Sequence, residues 1–333
     1  IFVLESYSKE ALLNVAVFRR ALSNQDNALS WGDVIIPDIT SDSNNILLRK
    51  AGTEVVRDIE VLENYDSNNI KKIRVYVLEN TTADYTLDVN TSNNYNLSPN
   101  YGFNFTLISD LDWYTFENLN LEFDVRKTPP GAGRILYVKY KPDSYEYNLS
   151  NSSATGLNVF KFQDSDGSYF DPSNGSFVEK KKFDGQVVKK LVLEGTISRT
   201  SPTREWTITY TYLISPYSNA IYVDLNINQS PRDAHFVKIN YLAAYGMGES
   251  SYTPVERNRT IFDYVGHIIS GTRSIFVVLT DPSGFVSFPT DIYSNNTMVA
   301  GLITPDFARD FTDMNFSTLA GDNDLDVSYA FCF

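Results

Sequence analysis

From about residue 30 onward, apolar residues in this chain recur at every second position. Ile73-Val75-Val77, Tyr85-Leu87-Val89, Phe103-Phe105-Leu107 and Leu121-Phe123-Val125 each alternate with polar neighbours, and Val55-Arg57-Ile59-Val61 follows the same spacing. Successive side chains of an extended backbone point to opposite faces. Each run therefore predicts a strand with one buried and one wet face, as in antiparallel sheets. Turn-forming clusters such as Asp66-Ser67-Asn68-Asn69 and Thr91-Ser92-Asn93-Asn94 separate the runs. Stronger strands are expected at 135–140, 187–197, 206–214, 220–227, 236–244, 274–280, 297–303 and 325–333. No helical periodicity falls between them, which excludes an alternating β-α sheet and leaves a sandwich or jelly roll. The clearest hairpin sets Trp206-Ile208-Tyr210-Tyr212 opposite Ile221-Val223-Leu225-Ile227 across the turn Ser215-Pro216-Tyr217-Ser218-Asn219.

Residues 1 to about 24 carry a different pattern. Leu12, Val15, Ala16 and Arg19 follow i, i+3, i+4, i+7 spacing, and Leu4, Ala11, Phe18 and Leu22 line a neighbouring stripe. This predicts an apolar helix, with Arg19 and Arg20 near the end where the helix dipole favours cations. The best domain boundary is Lys127-Thr128-Pro129-Pro130-Gly131-Ala132-Gly133, where prolines remove ladder donors and glycines favour turns. The expectation is a mainly β protein: an N-terminal α-helix (1–24), then two antiparallel β-sandwich domains of jelly-roll or immunoglobulin-like type (25–128 and 129–333).

The 333 residues, 42% of them hydrophobic, suffice for a sizeable core. A formal net charge of −13 argues against nucleic-acid partners, which require a basic face. The basic run Lys180-Lys181-Lys182, with Lys189 and Lys190, reads as a solvated strand end or loop. Cys332, the single cysteine, reads as a small apolar residue on a terminal strand. No run of about 20 apolar residues is present to span a membrane.

Asn-x-Ser/Thr triplets begin at Asn80, Asn90, Asn96, Asn104, Asn148, Asn151, Asn174, Asn228, Asn258, Asn295 and Asn315. That is roughly twice the number expected by chance, and as acceptors for N-linked glycans they imply surface positions in an extracellular chain. They fall in expected loops or on polar strand faces. Asn104 lies opposite Phe103 and Phe105, and Asn228 continues the polar row of Asp224 and Asn226. None falls within residues 1–79.

Catalytic patterns are sparse. His235 and His267 have no Cys or Glu-x-x-His neighbours and read as satisfied imidazoles. No Gly-x-Ser-x-Gly elbow or glycine-rich phosphate loop is present. A carboxylate pair for glycoside cleavage would have to converge in one cleft, with one member desolvated. Asp164, Asp166 and Asp171 lie around a turn that could wrap a structural Ca²⁺, as could the cluster from Gly321 to Asp326. No other cofactor is implied. Trp206, Tyr210 and Tyr212 share a face with Ile208 and read as core. Tyr145, Tyr147, Tyr169, Tyr217, Tyr245 and Tyr252 sit in turn-rich stretches, suited to contacts with glycans or neighbouring subunits.

The opening Ile1-Phe2-Val3-Leu4-Glu5, followed by a helix and then only β structure, resembles the layout of archaeal type IV pilin-like surface-filament glycoproteins. That resemblance implies an N-terminus produced by processing, a β-rich head and assembly through the helix, close to a membrane. Ile1, Phe2, Val3, Leu4, Leu12, Val15, Phe18 and Leu22 would make the assembly contacts. It leads to an expected role as a non-enzymatic, N-glycosylated extracellular protein: a subunit of a pilus-like filament, surface layer or adhesion appendage. Partners would be copies of itself or other surface-layer proteins. The alternatives are a secreted carbohydrate-binding or carbohydrate-cleaving β-sandwich protein and a viral coat or attachment protein. A cleft with a tyrosine or tryptophan platform beside carboxylates would favour the carbohydrate reading.

Overall fold

The computed structural model describes residues 3–7, 10–14, 18–19, 29–36, 42–66, 69–78, 85–89, 95–148, 156–164, 169–170, 175–200, 203–230, 236–245, 253–257, 264–270, 273–279 and 324–333. Among these the protein is mainly β, its strand pairs are antiparallel, and the single helical turn is the 3-10 turn Ser43–Asn45. The helix expected over residues 1–24 is not shown. Val3–Tyr7 and Glu10–Asn14 instead pair as strands, with Leu4 opposite Leu13, and Phe18–Arg19 pairs with Leu29–Ile35. The β-branched Val3 and the aromatic Tyr7 and Phe18 suit a pleated ladder better than a helix. Of the expected assembly residues, Val3, Leu4, Leu12 and Phe18 lie in these strands, while Ile1, Phe2, Val15 and Leu22 fall outside the described residues. No helix among the described residues is long and apolar enough to cross a membrane.

The chain divides into two compact units. The first comprises residues 1–105 together with 183–189 and 215–218, and the second holds 106–182, 190–214 and 219–333. The stretch 127–133, expected as a boundary, lies within the second unit. There it is the turn joining the paired strands Leu121–Arg126 and Ile135–Tyr140, closed by hydrogen bonds from Gly133 N–H to Arg126 O and Arg134 N–H to Gly131 O. Proline and glycine serve a tight connection here, with Gly133 at φ +77°.

In the first unit, a four-stranded sheet runs Phe18–Arg19, Leu29–Ile35, Ile70–Leu78, Arg57–Asn64, and a three-stranded sheet runs Thr53–Glu54, Ile46–Lys50, Tyr85–Val89. The period-two residues of both sheets form one core, with Ile73, Val75 and Val77 beside Ile46, Leu48, Tyr85, Leu87 and Val89. Arg57, Asp58 and Glu60 are also buried. The Tyr76 hydroxyl donates to Glu60 Oε2 (2.5 Å), and its ring packs near those of Trp31 (6.4 Å) and Phe183 (6.1 Å).

The second unit contains two eight-stranded sheets. Phe116 and Phe123 stack at 4.6 Å in one. In the other, Thr203–Ile214 pairs with Ala220–Ser230 as the expected hairpin, with Tyr210 opposite Leu225 and Tyr212 opposite Val223. Trp206, Tyr210 and Tyr212 are buried, as their shared face with Ile208 predicts. The strand Asp324–Cys332, expected over 325–333, lies between Ala220–Ser230 and Arg273–Leu279 and pairs with both.

Candidate functional site

The site is built on the first unit's strand Arg57–Asn64. Asp58 is 6% exposed, yet each carboxylate oxygen is occupied. Oδ1 accepts the Gln186 N–H (2.7 Å), and Oδ2 accepts those of Val187 (2.6 Å) and Val188 (2.9 Å). Burial raises the pKa of this acid, and the three N–H donors work in the opposite direction. The approach requires glycine at 185, where a Cβ would overlap Asp58 Oδ2. Asp58 thus clamps the turn 184–189, and that turn positions Gln186 and Lys189.

An irregular segment, 95–105, is fastened to the same turn. The Tyr95 hydroxyl accepts the Arg57 N–H (3.2 Å) and donates to Gln186 Oε1 (3.1 Å), while Arg57 lies over the Tyr95 ring at 3.9 Å. Arg57 Nη2 donates to Ser43 O (3.0 Å) and Ile46 O (2.5 Å). The Tyr101 hydroxyl donates to Gln186 O (2.8 Å), and burial holds its pKa above the ordinary phenol value, so it is a protonated donor. Asn100 Oδ1 accepts the Gly102 N–H (3.2 Å), and Gly102 adopts φ +70°, a left-handed turn that brings the Phe103 ring back onto Tyr101. Those two rings stack at 5.4 Å, and Tyr217 meets both edge-on, at 5.7 and 5.6 Å.

Between segment and turn lies an open cleft of about 570 Å³ lined by Ser98–Phe105, Asp184, Gly185, Gln186 and Lys189. A smaller depression of about 320 Å³ adjoins it, sharing Ser98, Asp184, Gly185 and Gln186 and adding Ser43, Asn44, Arg57–Ile59, Tyr95–Leu97 and Phe183. Tyr101, Phe103 and Phe105 are half-buried, each with part of its surface open to solvent. Lys189 contradicts its reading as a solvated lysine. It is 6% exposed, with Nζ bonded to Asp184 Oδ1 (2.6 Å) and Gly185 O (2.7 Å) and lying 4.4 Å from the Phe105 ring. Lys190 is buried as well, whereas Lys180 and Lys182 are exposed. Asp184 keeps 53% of its side chain exposed, leaving lone pairs for a ligand. Partly exposed aromatic rings beside amides and one ion pair suit a ligand that presents both C–H surfaces and hydroxyls.

Of the expected acceptor asparagines, Asn96, Asn104 and Asn228 are exposed. Asn104 lines the cleft and Asn96 the smaller depression. Asn148 ends the strand Tyr145–Asn148, and Asn80, Asn90, Asn151, Asn174, Asn258, Asn295 and Asn315 lie outside the described residues. Asp164 ends the strand Gly156–Asp164, while Asp166 and Asp171 lie outside the described residues, among which no group of three or more metal-ligating side chains occurs. Tyr217, singled out for turn-based contacts, joins the aromatic cluster. No local pattern in the sequence marks Asp58, Tyr101 or Gln186. The one local signal was Asp184-Gly185, a turn-forming pair ahead of Lys189.

The fold defines the class: antiparallel β units, one bearing an aromatic cleft. No family model and no curated relative matches the sequence. Among solved structures, an α-mannosidase from Enterococcus faecalis V583 superposes with a TM-score of 0.50 at 10% identity, over 92% of this chain and 41% of that one. A glycosyl hydrolase family 38 protein from Enterococcus faecalis gives 0.47 at 10% identity, over 92% of this chain and 43% of that one. The chain thus spans less than half the length of either, and the first match shows a shared fold alone. That match corrects the expectation of a non-enzymatic protein. That expectation came from sparse catalytic motifs and the pilin-like layout, whereas the β architecture is shared with a solved α-mannosidase.

Proposed function

We propose that this chain is the β-sandwich part of an extracellular carbohydrate-acting protein, and that the first unit's cleft binds a saccharide. The observation that carries this reading is the half-buried ring surface of Tyr101 and Phe103, backed by Tyr217 and bordered by Asn100, Asn104, Asp184 and Lys189. A pyranose has an apolar C–H face and an equatorial rim of hydroxyls. The rings take the face, and the Asp184 carboxylate and the asparagine amides take the rim. The likeness to an α-mannosidase fold supports carbohydrate chemistry and makes mannosides the first probes.

A shallow site with one stacking face supports roughly 4–5 kcal/mol of binding, a Kd near 1 mM for a single sugar. Calorimetric titration with mannose-, glucose- and galactose-terminated oligosaccharides tests it. Tyr101→Ala and Phe103→Ala should each weaken binding by tenfold or more, with amide exchange of the strand Ile46–Lys50 unchanged. Equal affinity in wild type and both variants would sink the proposal. A second reading, hydrolysis of mannosides, takes its support from the same fold likeness. Release of p-nitrophenol from p-nitrophenyl α-mannoside checks it, and no release above the uncatalysed rate rejects it.

A further inference from the structure

We infer that the cleft is built to hold the chain's own glycan, joined to the side-chain amide of Asn104 with its first sugar seated on Tyr101 and Phe103. This rests on the saccharide-binding reading above and names the occupant. Asn104-Phe105-Thr106 is an acceptor triplet. Asn104 is exposed and lines the cleft, in an irregular stretch where an attached glycan interrupts no strand pairing. Its neighbours in sequence, Phe103 and Phe105, and Tyr101 three residues earlier, supply the rings of the same cleft. A sugar on Asn104 Nδ2 thus starts within reach of an aromatic surface and needs no long linker. Asn228, exposed on the strand Ala220–Ser230, is an acceptor of the second unit and not part of this cleft.

The modification is a group transfer. Asn104 Nδ2 forms a bond to the anomeric carbon of a phosphate-activated oligosaccharide. The anomeric C–O bond to phosphate breaks, the phosphate carrier leaves with the bonding pair, and an amide proton passes to a base of the transferase. Once attached, the sugar competes with free saccharide at an effective concentration on the order of 10 mM. Against an intrinsic Kd near 1 mM, this weakens apparent binding of free saccharide about tenfold. The glycan would then regulate the cleft by filling it.

The test uses the full chain made in a host that transfers N-glycans and in one that does not. Thr106→Val removes the acceptor triplet while keeping Asn104, and Thr106 Oγ1 is buried without a hydrogen-bond partner, so the near-isosteric change breaks no bond. Peptide mass spectrometry should find Asn104 occupied in wild type. A mannose-terminated oligosaccharide should bind the non-glycosylated wild type and glycosylated Thr106→Val about tenfold more tightly than the glycosylated wild type. Asn228→Gln, made in the glycosylating host, should match the glycosylated wild type. An unoccupied Asn104, or equal affinity of the glycosylated and non-glycosylated wild type, overturns the self-liganded cleft and leaves the saccharide site standing. If the non-glycosylated protein binds no saccharide in the panel, both readings fall.

Discussion

Replacing Asp58 with alanine tests whether one buried carboxylate organises the candidate site. Three backbone N–H groups lose their acceptor in Asp58→Ala, at distances of 2.7, 2.6 and 2.9 Å in the wild type. Hydrogen bonds to a charged acceptor contribute roughly 1.5–3 kcal/mol each, which for three bonds sets a ceiling near 9 kcal/mol. Water can reach the Gln186 N–H, which is only partly buried, so that bond is largely replaced. Val187 and Val188 are fully buried, and their donors are stranded. The variant also relieves the desolvation that raises the pKa of Asp58. The net loss should therefore be about 3 kcal/mol, a large share of a domain's usual 5–15. Urea unfolding at pH 7 measures it, and amide exchange of residues 186–188 locates it. Gly185→Ala supplies a further check. Much of its cost comes from overlap with Asp58, so it should be destabilising in wild type and milder by at least about 1 kcal/mol in Asp58→Ala. Unchanged protection at 186–188, or additive losses in the double variant, would refute the clamp.

Two further outcomes follow from other parts of the chain. Asp33 pairs with Arg74 through two bonds (2.5 and 3.0 Å) and with Lys72 at 3.5 Å. Burial pushes its pKa up, but the hydrogen bond and charge of Arg74, with Lys72, outweigh this and hold it below the ordinary 3.8. A depressed folded-state pKa contributes stability above the unfolded value, lost as pH falls through the folded one. Urea midpoints of wild type and Asp33→Asn should differ by about 1 kcal/mol at pH 6 and converge as the pH falls below the ordinary carboxylate value; a constant gap contradicts the pairing. In the second unit, Gly133→Ala adds a Cβ 2.7 Å from Tyr210 at φ +77°, and Tyr212 donates to the carbonyl of Gly133. A loss of about 2 kcal/mol or more in thermal or urea unfolding is expected, and a neutral effect contradicts this packing.

The strands were readable wherever one residue in two faces a core. Ile73-Val75-Val77, Tyr85-Leu87-Val89 and the Trp206–Ile227 hairpin hold because their alternation is a local pattern, even where the partner strand is distant, as Ile46–Lys50 is from Tyr85–Val89. The helix expected over 1–24 rested on a broad apolar stripe, a weak discriminator when β-branched and aromatic residues supply much of it. The Pro-Pro-Gly stretch at 129–131 signals a break in regular structure, and a hairpin turn breaks it as well as a linker does. The cleft was hidden for another reason. Asp58 meets its partners 128 to 130 residues away. No spacing rule reaches that far, and a lysine in a basic run gives no sign that Asp184 and a phenyl ring will enclose it. Tyr217 is marked by its turn, but of the rings it meets edge-on, Phe103 reads as part of a strand and nothing local marks Tyr101.

The placement of Asp324–Cys332 has a consequence for synthesis. Ala220–Ser230 has Thr203–Ile214 on one side from the moment both have emerged, but its other side is completed by residues made about a hundred positions later. Until then the hairpin carries an open ladder of N–H and C=O groups above the apolar row Ile221, Val223 and Leu225. Such late, long-range closure is slow, and it leaves the nascent sheet open to the same edge of another chain. Ribosomes stalled before residue 324 should hold a sticky half-sheet, and those that have released residue 332 a closed one.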